Sequence, residues 1–413
     1  MRADQPPDMD RLPLLVLVRN ITRTLSYYDD WQDVLTAHPA FEADVEDIEQ
    51  ASNHPRIRAK IETAPFIVAL HGTNGNGTAA LDALSSAFQN RRGKLAVFVG
   101  NEVNLVYPTM KSKLDMLKAV RPELIATQLI EETGRWYYEE IEGAIVRNIT
   151  HGINADAFPP GPPINDRPID IGARSDRYNI YVGDDQRVAL HDMFEAKVRQ
   201  RSLRADIVLG GERFDRQGWA AFLGSSKATI ATEAGSDFLD RDDSLSAEVT
   251  ALLRKQRGGF VIKHQSLSRQ LSRMLLPSAV RHWAARRLAG TMVEDVHLHQ
   301  NVDDEVIETV RRQVFRPERK APLPTKVISS RHFDAAACKT LQILTPGRYN
   351  DMLVSGRHFI ELDQDFSNID EVLDQCADLS FCQKMVDDAL DDLMASHTYA
   401  HRMAELEAVL LSL

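Results

Sequence analysis

Short apolar runs alternate with longer amphipathic stretches from the start of the chain. PLLVLV (13–18), FIVALHGT (66–73), KLAVFVGNE (94–102), LIATQL (124–129) and AIVRNITHG (144–152) have the length and apolar density of strands buried on both faces. Residues 27–38, 78–90, 108–120 and 131–141 lie between them and repeat apolar positions at helical spacing. This alternation predicts a parallel sheet covered by helices on both faces. AFPPGPPINDRP (157–168) holds five prolines and excludes regular structure, which places a boundary there. A second series follows, with strands at 169–175, 205–211 and 228–236 and helices at 186–203 and 213–225. Strands resume at 326–330, 340–346 and 358–362, and helices close the chain from 381. The expected fold is α/β, with two doubly wound, Rossmann-like domains facing a cleft.

With 413 residues and 43% hydrophobic content, the chain can bury two cores. A net charge of −11 argues against nucleic acid as a partner. MRADQPPDMDRLP has no apolar signal core, and no run approaches the roughly 18 apolar residues of a membrane span, so a cytoplasmic protein is expected. Cys338, Cys376 and Cys382 lack metal-ligand spacing and are expected to be reduced thiols. The charge is unevenly distributed, because no acidic residue falls between Glu248 and Glu294 while basic residues recur there. Leucines and arginines interleave at helical spacing in this segment. Peripheral contact with an anionic membrane face through 254–290 is one expectation, and a solvated helix packing its apolar side inward is the other.

The densest chemistry lies in RHFDAAACKTLQIL (331–344), where Arg331, His332 and Asp334 open a helix beside a run of small residues. Small residues let backbone approach a ligand or a sheet closely. PGRY (346–349) and HFIELDQDFSNIDEV (358–372) follow in order. The set resembles the donor-site helix and its companions in GT-B glycosyltransferases, with Asp334 where the family has Glu. It is most similar to a bacterial group related to spore-maturation-protein glycosyltransferases. THGIN before Phe158 resembles that group's entry into the interdomain linker.

The resemblance implies an acceptor-side domain over 1–156, a linker at 157–168 and a nucleotide-sugar domain over 169–384 carrying a basic insertion at 245–320. Residues 385–413 would form a helix returning to the first domain. It further implies transfer of a hexosyl or related sugar from a nucleotide diphosphate-sugar to a hydroxyl of a glycan, lipid-linked or small-molecule acceptor. Retention of configuration and independence of metal and cofactor are implied as well. Asp334 would meet the ribose, and Arg174, Lys227, Ser236, Arg331, His332 and Thr340 would line the nucleotide and its diphosphate.

His71, Glu102 and Glu233 are the catalytic candidates, each at or just beyond the end of a strand. His71 opens HGTNGNGT (71–78), which offers free helix N–H groups but neither a Walker loop nor a GxGxxG fingerprint. Asp240-Arg241-Asp242 has an Asp-x-Asp form, yet no metal is expected in this context. Two positions depart from the family pattern. Lys326 stands eight residues before Asp334 where an acid is usual, and Lys339 replaces the glycine after Cys338. A nucleotide-sugar epimerase of the same architecture and a noncatalytic nucleotide-sugar-binding protein remain the alternatives.

Overall fold

The computed structural model describes residues 11–19, 26–257, 260–262, 292–294 and 302–413. Its first sheet contains β1 (Leu12–Val18), β2 (Phe41–Asp47), β3 (Phe66–Ala69), β4 (Lys94–Phe98), β5 (Leu124–Thr127) and β6 (Ile145–Asn148), all parallel, in the order β2-β1-β3-β4-β5-β6. Alternate residues of a strand face opposite sides. Leu15 and Leu17 of β1 thus enter one core with Ile67 and Val97, while Leu14 and Val16 enter another with Val68 and Phe98. The second core is closed by the Ser26–Ala37 helix and by the Tyr399–Ser412 helix at the end of the chain. Tyr399, Met403, Leu406 and Leu410 fall three and four residues apart, on one helical face, and fill this first-domain core.

The second sheet contains β7 (Ile169–Ser175), β8 (Ala205–Leu209) and β9 (Ser226–Ala231), with the later strands below. A separate pair, β10 (Phe260–Ile262) and β11 (Met292–Glu294), precedes β12 (Leu341–Leu344) and β13 (Ile360–Glu361) in the chain. The order is β13-β12-β9-β7-β8, again parallel. Both sheets place their second strand on one side of the first and their third on the other. Each therefore has a crevice where the winding reverses, at the C-terminal ends of β1 and β3 and of β7 and β9.

Three segments differ from the sequence expectation. Residues 326–330 form no strand: Val327 makes one antiparallel bridge to Ala234, and Ser329 then caps a helix. The stretch 78–90 splits into two short helices, Ala79–Asp82 and Ser85–Asn90. β2 was not anticipated, because its polar FEADVED run lacks the apolar density of the central strands. Most of 254–290 lies outside the described residues, and the membrane contact expected there lies outside them too. No described helix is long and apolar enough to cross a membrane. All three cysteines are free.

Polar contacts set the geometry between and within the domains. Asp30 on the first domain's Ser26–Ala37 helix is 2% exposed and accepts from Arg216 Nη1 at 2.7 Å and Asn154 Nδ2 at 2.8 Å. Asn104 donates to the Phe238 carbonyl and accepts from the Asp240 N–H at 2.9 Å. Within the linker, Arg167 is 1% exposed and donates to the carbonyls of Pro162, Ser226 and Cys338, each at 2.9 Å, and to Thr340 Oγ1 at 3.2 Å. Gly161 also donates to the Cys338 carbonyl, and a Cβ there would lie 2.8 Å from Gly224 Cα.

A lysine has three donors on one atom and cannot span the acceptors that Arg167 holds with a planar fork. Arg167→Lys is expected to lower stability by about 3–5 kcal/mol. The measurement is the urea midpoint, which should fall well below that of the parent protein.

Candidate functional site: a cationic crevice in the second domain

Ser175 ends β7, and two helix starts converge on the crevice beside it. The Gln186–Gln200 helix contributes Arg187 from its first turn, and the Ser330–Ala337 helix contributes Arg331. Arg174, Ser175, His191, Trp219, Thr232 and Gln342 line the same crevice. Arg331 Nη1 lies 3.4 Å from the Arg174 carbonyl and from Ser175 Oγ. Arg187 lies over the Tyr178 ring, 3.9 Å from its centroid, and donates to the Tyr178 hydroxyl at 2.7 Å.

Their neighbours are neutralised, but these two are not. Arg174 pairs with Asp206 at 2.6 Å and Arg213 with Asp176 at 2.5 Å. Among the described residues, neither Arg187 nor Arg331 pairs with a carboxylate. Burial and the nearby Arg187 charge push the Arg331 pKa down. Two guanidiniums without a described carboxylate partner, at a topological switch point, have the donor geometry to hold an anion with several oxygens.

The start of the Ser330–Ala337 helix is fixed by a reciprocal cap. The Ser329 N–H donates to His332 Nδ1 at 3.0 Å, which leaves Nε2 to carry the proton of the neutral ring. That Nε2 is buried without a partner among the described residues, and burial lowers the His332 pKa to about 3. Asp334, on the same helix, accepts from Trp219 Nε1 at 3.0 Å. Burial, reinforced by the Asp30 charge, raises its pKa well above the usual carboxyl value.

The facing wall belongs to the first domain and is aromatic. His71 follows β3, with Nε2 3.3 Å from Gln128 Nε2, and burial lowers its pKa to about 3. His151 accepts from Trp31 Nε1 at 3.1 Å and packs 4.5 Å from Tyr27, ring centroid to ring centroid. The Tyr27 hydroxyl feels the charges of Arg213 and Arg331 of the second domain.

Of the residues singled out in the sequence, Arg331 and Arg174 line the crevice. His332 and Asp334 lie on the helix that walls it, and His71 stands on the facing domain. Glu102 is held within the first domain, accepting from Thr127 Oγ1 at 2.5 Å, from the Gln128 N–H at 3.1 Å and from the Tyr138 hydroxyl. Glu233 accepts from the Tyr349 N–H at 2.6 Å and braces the loop after β12.

Lys227 and Thr340 lie at the opposite, N-terminal edge of the sheet. Lys227 pairs with Asp170 at 2.9 Å, and Thr340 donates to the Leu223 carbonyl at 2.8 Å. Ser236 spends its hydroxyl on the Val182 carbonyl at 2.6 Å and the Phe238 N–H at 3.0 Å. These three residues make structural bonds outside the crevice. Lys326 pairs with Asp184 and Lys339 with Asp387, each at 2.6 Å. Asp240 of the Asp-x-Asp tripeptide accepts from the Leu245 N–H at 2.6 Å and so caps a helix.

Sequence reasoning missed Arg187, Tyr178, Gln128 and His151. A signal for Arg187 was available, since it lies in the first turn of the helix following the second domain's first strand, where anions are commonly held.

Two doubly wound domains, a cleft between their C-terminal strand edges and a final helix packed back on the first domain define the GT-B architecture. No protein-family model matches the chain. No curated protein matches it in sequence. Among solved structures, it is similar to HepE of Anabaena in complex with UDP and glucose, at 9% identity and a TM-score of 0.48 over 98% of this chain and 100% of that one. A glycosyltransferase from Rickettsia africae is similar at 10% identity and a TM-score of 0.44, over 97% of this chain and 98% of that one. The α,α-trehalose-phosphate synthase (UDP-forming) of Burkholderia vietnamiensis gives 10% identity and 0.41 over the same shares. The assignment of architecture stands on this chain's own strand orders and returning helix.

The neutral, buried His332 makes the stability of the fold depend on pH. The unfolded chain protonates this ring near pH 6.5 and the folded chain only near 3, so below 6.5 the unfolded state binds the extra proton. Stability from this ring is therefore complete above 6.5 and falls by about 1.4 kcal/mol per pH unit as pH drops. His332→Asn keeps an acceptor for the Ser329 N–H and removes the titration. The difference in urea stability between parent and variant should change by that amount per unit between pH 6 and 4, and a constant difference would contradict the assignment.

Proposed function

We propose that the chain transfers a sugar from a nucleotide diphosphate-sugar to an acceptor hydroxyl, with the diphosphate held by Arg187 and Arg331. The observation that carries this reading is the pair of guanidiniums without a described carboxylate partner at the β7/β9 switch point, one of them on the very helix whose RHFDAAACKT run resembles a donor-site helix. Breaking the sugar–phosphate bond builds negative charge on the departing diphosphate. Fixed cations aimed at that charge stabilise it more in the transition state than in the bound substrate, which is what accelerates the step. Two guanidiniums supply the charge that a divalent metal would otherwise bring, which favours metal-independent transfer.

Asp334 and Trp219 form the wall assigned to the ribose. The loop beginning at His71 and the aromatic cluster behind it form the wall assigned to the transferred sugar and its acceptor. Facing domains exclude water from the reacting bond and thereby limit hydrolysis of the donor.

Thermal-shift titrations with UDP, GDP and dTDP should show selective stabilisation by one of them. Arg187→Ala and Arg331→Ala should each weaken that binding by about 10- to 100-fold, as expected for a lost charge-assisted contact. Product analysis should find free nucleoside diphosphate and an elongated acceptor, whereas an isomerised sugar nucleotide would identify an epimerase. Failure of all three diphosphates to bind, or unchanged binding in both variants, would overturn the assignment of the crevice.

A further inference from the structure

Gln128, which follows β5, touches both histidines of the first-domain wall. Its Nε2 donates to the Ile149 carbonyl at 3.0 Å, and its Oε1 accepts from the His151 N–H at 3.4 Å. A carbonyl only accepts and an N–H only donates, so the amide cannot be reversed without setting like against like. The second hydrogen of the same Nε2 faces His71 Nε2 at 3.3 Å. That ring nitrogen must therefore accept, and the proton of the neutral imidazole sits on Nδ1. His71 is 2% exposed, and its Nδ1 is buried with no partner among the described residues. An orphaned donor of this kind costs about 1–3 kcal/mol.

The neighbouring ring has the opposite tautomer for an equally firm reason. An indole N–H only donates, so the bond from Trp31 makes His151 Nδ1 the acceptor and leaves the proton on Nε2. The two rings lie 5.3 Å apart. Tyr27 packs against both, and Arg402, which donates to the His151 carbonyl at 3.2 Å, places a positive charge beside His151. Among the described residues, no carboxylate bonds either imidazole. Both acceptor nitrogens are occupied, so the wall offers N–H donors and no base.

We propose that Gln128 is a positioning residue that locks His71 as an Nδ1–H donor toward a hydroxyl oxygen of the bound sugar. The identity of that oxygen rests on the sugar-transfer reading, whereas the tautomer does not. His71 accordingly takes no proton during the reaction.

The test uses the full chain labelled with 15N-histidine, together with Gln128→Glu and Gln128→Met. Long-range proton–nitrogen correlation should show His71 as the Nδ1–H tautomer in the parent protein. In Gln128→Glu the new carboxylate accepts from the ring, so the tautomer should invert to Nε2–H and the ring should begin to titrate between pH 5 and 7. Gln128→Met removes the donor at similar volume and should release the ring to a mixture of tautomers. In both variants kcat should fall by about ten-fold or more while the thermal shift with the nucleoside diphosphate is retained. An Nε2–H tautomer in the parent protein would overturn the proposal, and so would inversion with unchanged kcat. If no variant and no parent protein transfers sugar, the functional reading fails and the proposal with it, while the tautomer assignment still stands or falls on the spectra.

Discussion

The cleft depends on a carboxyl group that water hardly reaches. Asp30 sits on the first domain, and its main partner, Arg216, opens the Arg216–Ser225 helix of the second. That helix carries Trp219, and Trp219 holds Asp334. This ion pair thus ties the first domain to the helix that orients the wall assigned to the ribose. Breaking such a pair from one side leaves an uncompensated buried charge, at a cost of about 3–5 kcal/mol. Asn154, just before the linker, supplies a second bond to the same carboxyl, so the chain crosses between domains close to the contact that holds them.

The two walls divide the electrostatic work. The second domain concentrates fixed positive charge, and among the described residues Arg187 and Arg331 have no carboxylate partner although carboxylates satisfy Arg174 and Arg213 close by. The first domain contributes imidazoles and aromatic rings whose burial keeps them uncharged. A low-dielectric site strengthens each fixed charge it contains, so a neutral wall opposite a cationic one lets the arginines dominate the field. Glu102 fits this division, because three donors of its own domain tie it down and burial raises its pKa.

Most of the architecture was legible because buried parallel strands leave strong marks. FIVA is apolar throughout and LIAT at every position but the last, and each became a central strand. FEADVED left no such mark, since an edge strand keeps a polar face. VISS was misleading, because its serines serve a helix cap instead of a ladder. The site was legible in part. Arg331 and Asp334 stood out through the alanine run beside them, but Lys227 lies at the start of β9 and Thr340 just before β12, at the far edge of the sheet, and spacing alone does not tell which end of a strand a residue occupies. Gln128 and His151 act through which end of an amide or ring faces which neighbour, and one-dimensional patterns carry no such information.

Arg167 shows how silent an essential contact can be. Most of its partners are main-chain carbonyls, from the linker, from the start of β9 and from the end of the Ser330–Ala337 helix. Most side chains in those segments could change during descent without disturbing the main-chain acceptors, so apart from Gly161 and Thr340 few positions would covary with the clamp and betray it. The trace it leaves in the chain is a lone arginine after a run of prolines, which looks like the solvated end of a linker and is in fact among the most deeply enclosed charges of the fold.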